Sequence, residues 1–318
     1  HFESWNQDKT AIIILVSGGD TAGSYYLFDT EKVKLKRLAT QYQVGAIGEI
    51  KAIRYPARDG LKIPALLTLP PGDNDKKNLP LIALPHGGPE SYDQIGFDWM
   101  AQYFAAKGYV VLQPNFRGST GFGNKFRRAG YGRWGAEMQT DVSDGIAALA
   151  ASGYIDPERV CIIGGSYGGY SALAGGAYSP ELYRCIVSIN GVSDLPRMLK
   201  SKKRRYGKNH WVVSYWNKII GDSETEIDKL KSISPVHFAA NFNAPVLLLH
   251  GRDDTVVPIK QSDIMYKALK RADKPVKLTR LKGEDHWLSG SATRLQLLNE
   301  IDEFLDEYNP VSSEAIGQ

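Results

Sequence analysis

The stretch from Arg159 to Tyr178 constrains the fold of this chain more than any other. Arg159-Val160-Cys161-Ile162-Ile163 is a run of strand length and apolar character, and Tyr167–Tyr178 reads as a helix. Between them stands Gly164-Gly165-Ser166-Tyr167-Gly168-Gly169, so a strand has to turn into a helix within a few residues and present a serine at the bend. Glycines on both sides of that serine suit a turn too tight for side chains against the neighbouring strand and helix. With 32 glycines in the chain a Gly-x-Ser-x-Gly match is weak by itself, and the strand before it and helix after it carry the weight.

The remaining sequence gives this turn a setting. Strand-like runs at Leu81–Pro85, Tyr109–Pro114, Val160–Ile163, Cys185–Asn190, Val246–Leu249 and Val276–Leu281 alternate with helical patterns. The helices are expected at Phe97–Lys107, Trp134–Ser152, Tyr167–Tyr178, Lys260–Arg271 and Ala292–Tyr308. Uninterrupted Val/Ile/Leu strands between amphipathic helices predict a mostly parallel sheet with helices on both faces. A hairpin, Ile50–Arg58 and Leu61–Leu69 about an Asp59-Gly60 turn, leads into it. The predicted fold class is α/β, of the α/β-hydrolase type, over residues 46–318. A composition of 42% hydrophobic and 23% charged residues fits a globular chain with a full core. No apolar run approaches the roughly 20 residues that span a bilayer, so the expectation is a soluble protein away from membranes, cytoplasmic or periplasmic. A net charge of +4 makes no case for nucleic acid.

Residues 1–45 read differently. Three short strands, Ala11–Ser17, Ser24–Asp29 and Lys34–Leu38, are separated by Gly18-Gly19-Asp20 and Asp29-Thr30-Glu31. A sheet so small cannot bury both faces alone. The pattern suits the last blade of a β-propeller lying upstream, or else a β extension packed on the main domain. An orphan blade would carry Ile12, Ile14, Tyr26 and Phe28 on an exposed apolar face or just beneath it. The chain begins at His1 without a charged-then-apolar leader, which is expected of a piece of a longer or processed polypeptide. Cys161 and Cys185 fall in core strands and are expected as buried free thiols.

Chemistry follows from the serine. Its hydroxyl needs a base, and in this fold the partners come in the order serine, acid, histidine. Of the six histidines only His286 follows the acid candidates in His250-Gly251-Arg252-Asp253-Asp254. Asp253 and Asp254 are neighbours in an extended loop and point opposite ways, so position does not choose between them. An oxyanion formed at Ser166 needs donors. These are expected from the backbone N–H of Tyr167 and of Gly88, within His86-Gly87-Gly88-Pro89. No metal or cofactor is implied. Asp141 and Asp144, three apart on a helix, are expected to pair with a basic residue such as Arg117. Lys200, Lys202, Lys203, Arg204 and Arg205 form a basic cluster in an insertion at 195–232, read as a solvated or propeller-facing surface. Trp211, Tyr215 and Trp216 either line a substrate entrance or anchor that insertion.

In combination, several motifs resemble the prolyl oligopeptidase family of serine peptidases, its acylaminoacyl-peptidase branch above all. They are His86-Gly87-Gly88-Pro89, Asn115-Phe116-Arg117-Gly118-Ser119-Thr120-Gly121, Gly165-Ser166-Tyr167-Gly168-Gly169-Tyr170, His250-Gly251-x-x-Asp254-x-x-Val257-Pro258 and Asp285-His286. The resemblance implies that Asp254 is the acid and that a β-propeller of the same polypeptide precedes the domain. Where the endopeptidase and dipeptidyl-peptidase branches carry an oxyanion-binding tyrosine, this chain has His86, which favours donation from Gly88. The family's specificity pocket would map to Tyr167, Leu195, Met198, Val256 and Val257, suited to an apolar residue. The implied activity is hydrolysis of short peptides through an acyl-enzyme. The alternatives are a carboxylesterase with the same triad and a binding scaffold, although a scaffold should have lost Ser166 or His286.

Overall fold

The computed structural model describes residues 1–72 and 77–311. The N-terminal segment is a four-stranded antiparallel meander: β1 (Phe2–Trp5), β2 (Ala11–Gly18), β3 (Thr21–Asp29) and β4 (Lys34–Thr40), in that spatial order. The sequence reading finds three of these and misses β1, whose four residues show no alternation. Ile12 lies opposite Phe28 and Ile14 opposite Tyr26, so the four share a face and half-bury one another. Phe2, Trp5 and Leu35 pair with residues of this face and are exposed, as are Val16 and Leu38.

The main sheet has eight strands: β5 (Ile50–Pro56), β6 (Lys62–Thr68), β7 (Leu79–Ala83), β8 (Val110–Pro114), β9 (Ile155–Gly165), β10 (Cys185–Ile189), β11 (Val246–Gly251) and β12 (Val276–Leu281). Their order is β12-β11-β10-β9-β7-β8-β6-β5. The six from β7 to β12 run parallel, and the β5–β6 hairpin joins β8 antiparallel. Strands β7, β8, β10 and β11 are buried at every position, as their largely apolar runs require, with Gln113, Ser188 and His250 buried among them. This is the α/β-hydrolase arrangement.

Helices cover both faces. The sequence accounts for α1 (Trp99–Ala106), α3 (Glu137–Ala151), α4 (Tyr167–Tyr178), α8 (Lys260–Arg271) and α9 (Ser291–Tyr308), while a short α2 (Asn124–Arg128) was not expected. The insertion folds as α5 (Leu195–Tyr206), α6 (Trp211–Ile219) and α7 (Ile227–Ser232). Helix α1 begins where Asp98 accepts the N–H groups of Met100 and Ala101. Helix α3 starts at Glu137 rather than Trp134, because Gly135 takes a φ of 65° that no helix continues. Leucine and phenylalanine side chains of α1 and α9 fill one core, and α3, α4, α8 and the insertion fill the other. The expected free thiols are corrected: Cys161 and Cys185 form a disulfide. They lie 24 residues apart, and only the parallel register of β9 with β10 sets their Cα atoms 4.7 Å from each other.

One buried ion pair joins three parts of this layer. The Arg117 guanidinium donates to both carboxylate oxygens of Asp141 at 2.8 and 2.9 Å, and Arg117 N–H donates to the same carboxylate at 2.8 Å. It reaches Asp59 in the hairpin turn at 2.7 Å, and the Tyr55 hydroxyl donates to the Asp141 carbonyl at 2.8 Å. Asp144 pairs with Arg58 at 2.8 Å. Both aspartates are thereby structural. Removing one partner of a buried pair strands the other charge, so Asp141→Ala is expected to lower stability by about 3–5 kcal/mol. Denaturant unfolding measures it, and a loss below about 1 kcal/mol, the range of surface pairs, would refute this account.

Candidate active site

Strand β9 ends and α4 begins at Ser166, whose φ of 57° and ψ of −114° are rare for a residue with a side chain. Such a conformation costs about 1–3 kcal/mol and persists only where its surroundings hold it. Here Ser166 N–H donates to the Ile189 carbonyl at 2.9 Å, and the Ser166 carbonyl accepts Tyr170 N–H at 3.0 Å. Two of the nearby glycines, Gly164 and Gly168, leave no room for a side chain. A Cβ on Gly164 would lie 2.4 Å from the Gly168 carbonyl oxygen, and one on Gly168 would lie 2.1 Å from that of Pro85.

Two loops at the carboxyl ends of β11 and β12 reach the serine, the edge where open α/β sheets place their ligands. The His286 Nε2 is 3.1 Å from Ser166 Oγ, and Nδ1 is 2.7 Å from Asp254 Oδ2. The second oxygen of Asp254 accepts the N–H groups of Val256 and Val257 at 2.7 and 2.8 Å. Burial opposes ionisation of this carboxyl, but hydrogen bonds from His250 and His286 hold it well below the usual carboxylate range. Asp254 is buried and faces His286, whereas Asp253 is exposed.

Three contributors escaped the sequence reading. His250, fully buried, lies 3.5 Å from Asp254 Oδ2 through Nε2 and bonds Ser262 Oγ through Nδ1 at 2.7 Å. Asn190, at the end of β10, accepts Gly251 N–H at 2.8 Å and donates to the carbonyls of Asp285 and His286 at 3.3 and 3.2 Å. Its one amide ties the acid loop to the histidine loop. The third contributor is Val192, which borders the cavity. His250 opens the His-Gly-x-x-Asp motif, but the motif gives it no role, and a motif search finds neither Asn190 nor Val192, which strand order alone brings to the site.

The cavity beside the serine holds about 460 Å³. Ser166, His286 and Gly88 border it, as do all five residues that the resemblance assigned: Tyr167, Leu195, Met198, Val256 and Val257. Gly87, Ser91, Trp134, Trp216, Ile220 and Trp287 complete the wall with Val192. Of the insertion aromatics, Trp216 faces this cavity, Trp211 is exposed, and Tyr215 packs against the core. A larger apolar groove of about 740 Å³, between residues 42–46, α1 and α9, contains no member of the serine–histidine pair. Among the described residues no group of three or more His, Cys, Asp or Glu is arranged to hold a metal ion, and no helix is long and apolar enough to cross a membrane.

The Gly87-Gly88 loop passes beside the serine: a Cβ on Gly87 would lie 3.5 Å from Ser166 Cβ. Gly88 has a φ of 116°, open to glycine alone at low cost. His86 is turned to other work. Its ring stacks on Phe116 at 4.4 Å, and its nitrogens bond the Gly87 carbonyl at 2.7 Å and Ser119 Oγ at 2.9 Å. The basic cluster is mostly surface, with Lys200, Arg204 and Arg205 exposed and Lys203 paired to Glu224 at 3.0 Å. Lys202 departs from the expectation and is buried.

Residues 95–310 match the model of the prolyl oligopeptidase family, a span that holds Ser166, Asp254 and His286. The chain belongs to that family. It is 33% identical over 298 residues to dipeptidyl aminopeptidase BIII of Pseudoxanthomonas mexicana, covering 88% of this chain and 42% of the relative. Its fold superposes on a puromycin-hydrolyzing peptidase of Mycobacterium tuberculosis with a TM-score of 0.84 at 26% identity, covering 98% of this chain and 48% of that one. The acylaminoacyl peptidase of Pyrococcus horikoshii gives 0.81 at 25% identity, covering 98% and 50%. The chain thus spans less than half the length of the curated relative and about half of these solved neighbours.

Burial pushes the His86 imidazole from its ordinary 6.5 down to about 4. The sign follows: below about pH 6.5 the unfolded chain takes up a proton that the folded one refuses, so stability falls as pH drops toward 4. His86→Gln should lose less stability between pH 7 and pH 4.5 than the unaltered chain. Denaturant unfolding at both values tests this, and equal losses would contradict it.

Proposed function

We propose that this chain is the catalytic part of a serine peptidase that hydrolyses short peptides through an acyl-enzyme. The observation that carries the reading is the Ser166–His286–Asp254 relay, 3.1 and 2.7 Å between successive partners, beside an apolar cavity. A carboxylate can only accept, so His286 Nδ1 donates to Asp254 and Nε2 is free to take the serine proton. Ser166 Oγ attacks the scissile carbonyl while His286 Nε2 receives its proton. Asp254 stabilises the imidazolium, which then protonates the leaving amine, and water repeats the cycle to release the acid. The developing oxyanion is met by the N–H groups of Tyr167, at the positive end of α4, and of Gly88. Leu195, Met198, Val256 and Val257 receive an apolar side chain next to the scissile bond.

The reading extends to the N-terminal sheet. Its exposed Phe2, Trp5, Val16, Leu35 and Leu38 suit a blade that meets further blades of the same polypeptide. Such a propeller would restrict which peptides reach the cavity without touching the chemistry.

Ser166→Ala and His286→Ala should each cut turnover about 10⁶-fold and the double variant hardly further, because the two act as a unit. Asp254→Asn should cost about 10⁴-fold through the wrong imidazole tautomer, with Asp253→Asn nearly silent. Steady-state hydrolysis of a peptide amide and an activated ester reads both, and ester cleavage without amide cleavage would point to a carboxylesterase. A chain beginning at Gly48, whose backbone is gripped by Gln102 at 2.8 and 3.1 Å, should fold and cleave the ester without residues 1–47. Failure to fold would make the N-terminal sheet part of the catalytic domain.

A further inference from the structure

Helix α5 buries Leu195, Met198, Leu199 and Lys202, a face spaced i, i+3, i+4, i+7. Three of the four are what a buried face calls for. Lys202 is not: only 6% of it is exposed, and an ammonium is costly to bury unless it has a partner. An aliphatic residue would fill the position at lower cost, so the charge needs an explanation.

Its contact supplies one. Lys202 Nζ donates to the Val256 carbonyl at 2.8 Å. The N–H of that same Val256 donates to Asp254 Oδ1 at 2.7 Å. The residue beside the acid is therefore held from both ends, by the carboxylate on one side and by the lysine on the other. Arg205, three residues on, donates to the Thr255 carbonyl and grips the loop one residue earlier. Desolvation and the nearby Arg205 both press the Lys202 ammonium toward neutrality, and Asp254 opposes them.

We infer that Lys202 is a positioning residue for Asp254, acting through the Val256 backbone. The inference rests on the catalytic reading above and deepens it. If Val256 drifts, the N–H groups that orient Asp254 drift with it, and the carboxylate loses its aim at His286 Nδ1. The same helix lines the cavity with Leu195 and Met198, so α5 joins the wall that receives substrate to the loop that carries the acid.

The test compares Lys202→Met, Lys202→Arg and the exposed control Lys200→Met in the unaltered chain background. The measurements are kcat and KM on a peptide amide, with thermal unfolding alongside. Since a misplacement of about 1 Å can cost about 10²-fold, Lys202→Met should lower kcat by about 10- to 100-fold. Its KM should stay within about threefold, while Lys202→Arg, which keeps a cationic donor, should recover most of kcat. Lys200→Met should match the unaltered chain. An unchanged kcat in Lys202→Met, or a rise in KM alone, would overturn the inference, the latter by making Lys202 part of the cavity wall. Should Lys202→Met fail to fold, Lys202→Gln, whose amide ends one bond short of the carbonyl, carries the same expectation and the same refutation. Absence of turnover in the unaltered chain would bring down the catalytic reading itself, and this inference with it.

Discussion

Everything at this site depends on how closely β9 and α4 approach the strands beside them. Ser166 occupies a conformation that a free chain would leave at once, and it is held by backbone alone. The Ile189 carbonyl takes its N–H, and Gly164 and Gly168 come so near each other and Pro85 that neither tolerates a Cβ. The strain is local and the support is not. It comes from β10 on one side and the end of β7 on the other, which are the interior of the sheet.

The acid and the histidine arrive by a different route. Their loops follow β11 and β12, the two strands at one end of the sheet, and each buries an apolar side chain in the core, Val257 from the first and Leu288 from the second. Polar groups at the ends of neighbouring elements aim the rest of each loop. Asn190 bridges Gly251 to the histidine loop, His250 and two backbone N–H groups surround Asp254, and α5 reaches across to the Val256 carbonyl. Packing sets the serine and hydrogen bonds set its partners. A small change at a loop carbonyl can therefore alter the relay while the core stays intact.

Much of this was legible in the chain itself. The apolar strands, the helices between them and the glycine-flanked serine needed only local pattern, because parallel strands buried on both faces have no polar alternation to confuse the reading. The order of serine, acid and histidine along the chain narrowed six histidines to His286. Resemblance to known motifs chose Asp254 and the five cavity residues, and those five border one space. Strand β1 was not legible, since its four residues show strand character only when paired with β2. The pairing of Cys161 with Cys185 was not legible either, because thiols 24 residues apart become neighbours through strand order alone.

What the sequence determined, then, is what local pattern and chain order carry: most strands and helices, the glycine-flanked serine at the elbow, and His286 as the histidine that follows the acid candidates. What only the tertiary structure decided is which of several equivalent groups faces which. Asp253 and Asp254 are the same residue type in the same loop, yet Asp254 is buried against His286 and Asp253 is exposed. Lys202 sits in a run of like charges, and the register of α5 against the acid loop buries that one. Local sequence records which groups are available, and long-range contact sets their directions. Hydrogen bonds depend on direction within tenths of an ångström, so that last choice belongs to the assembled fold.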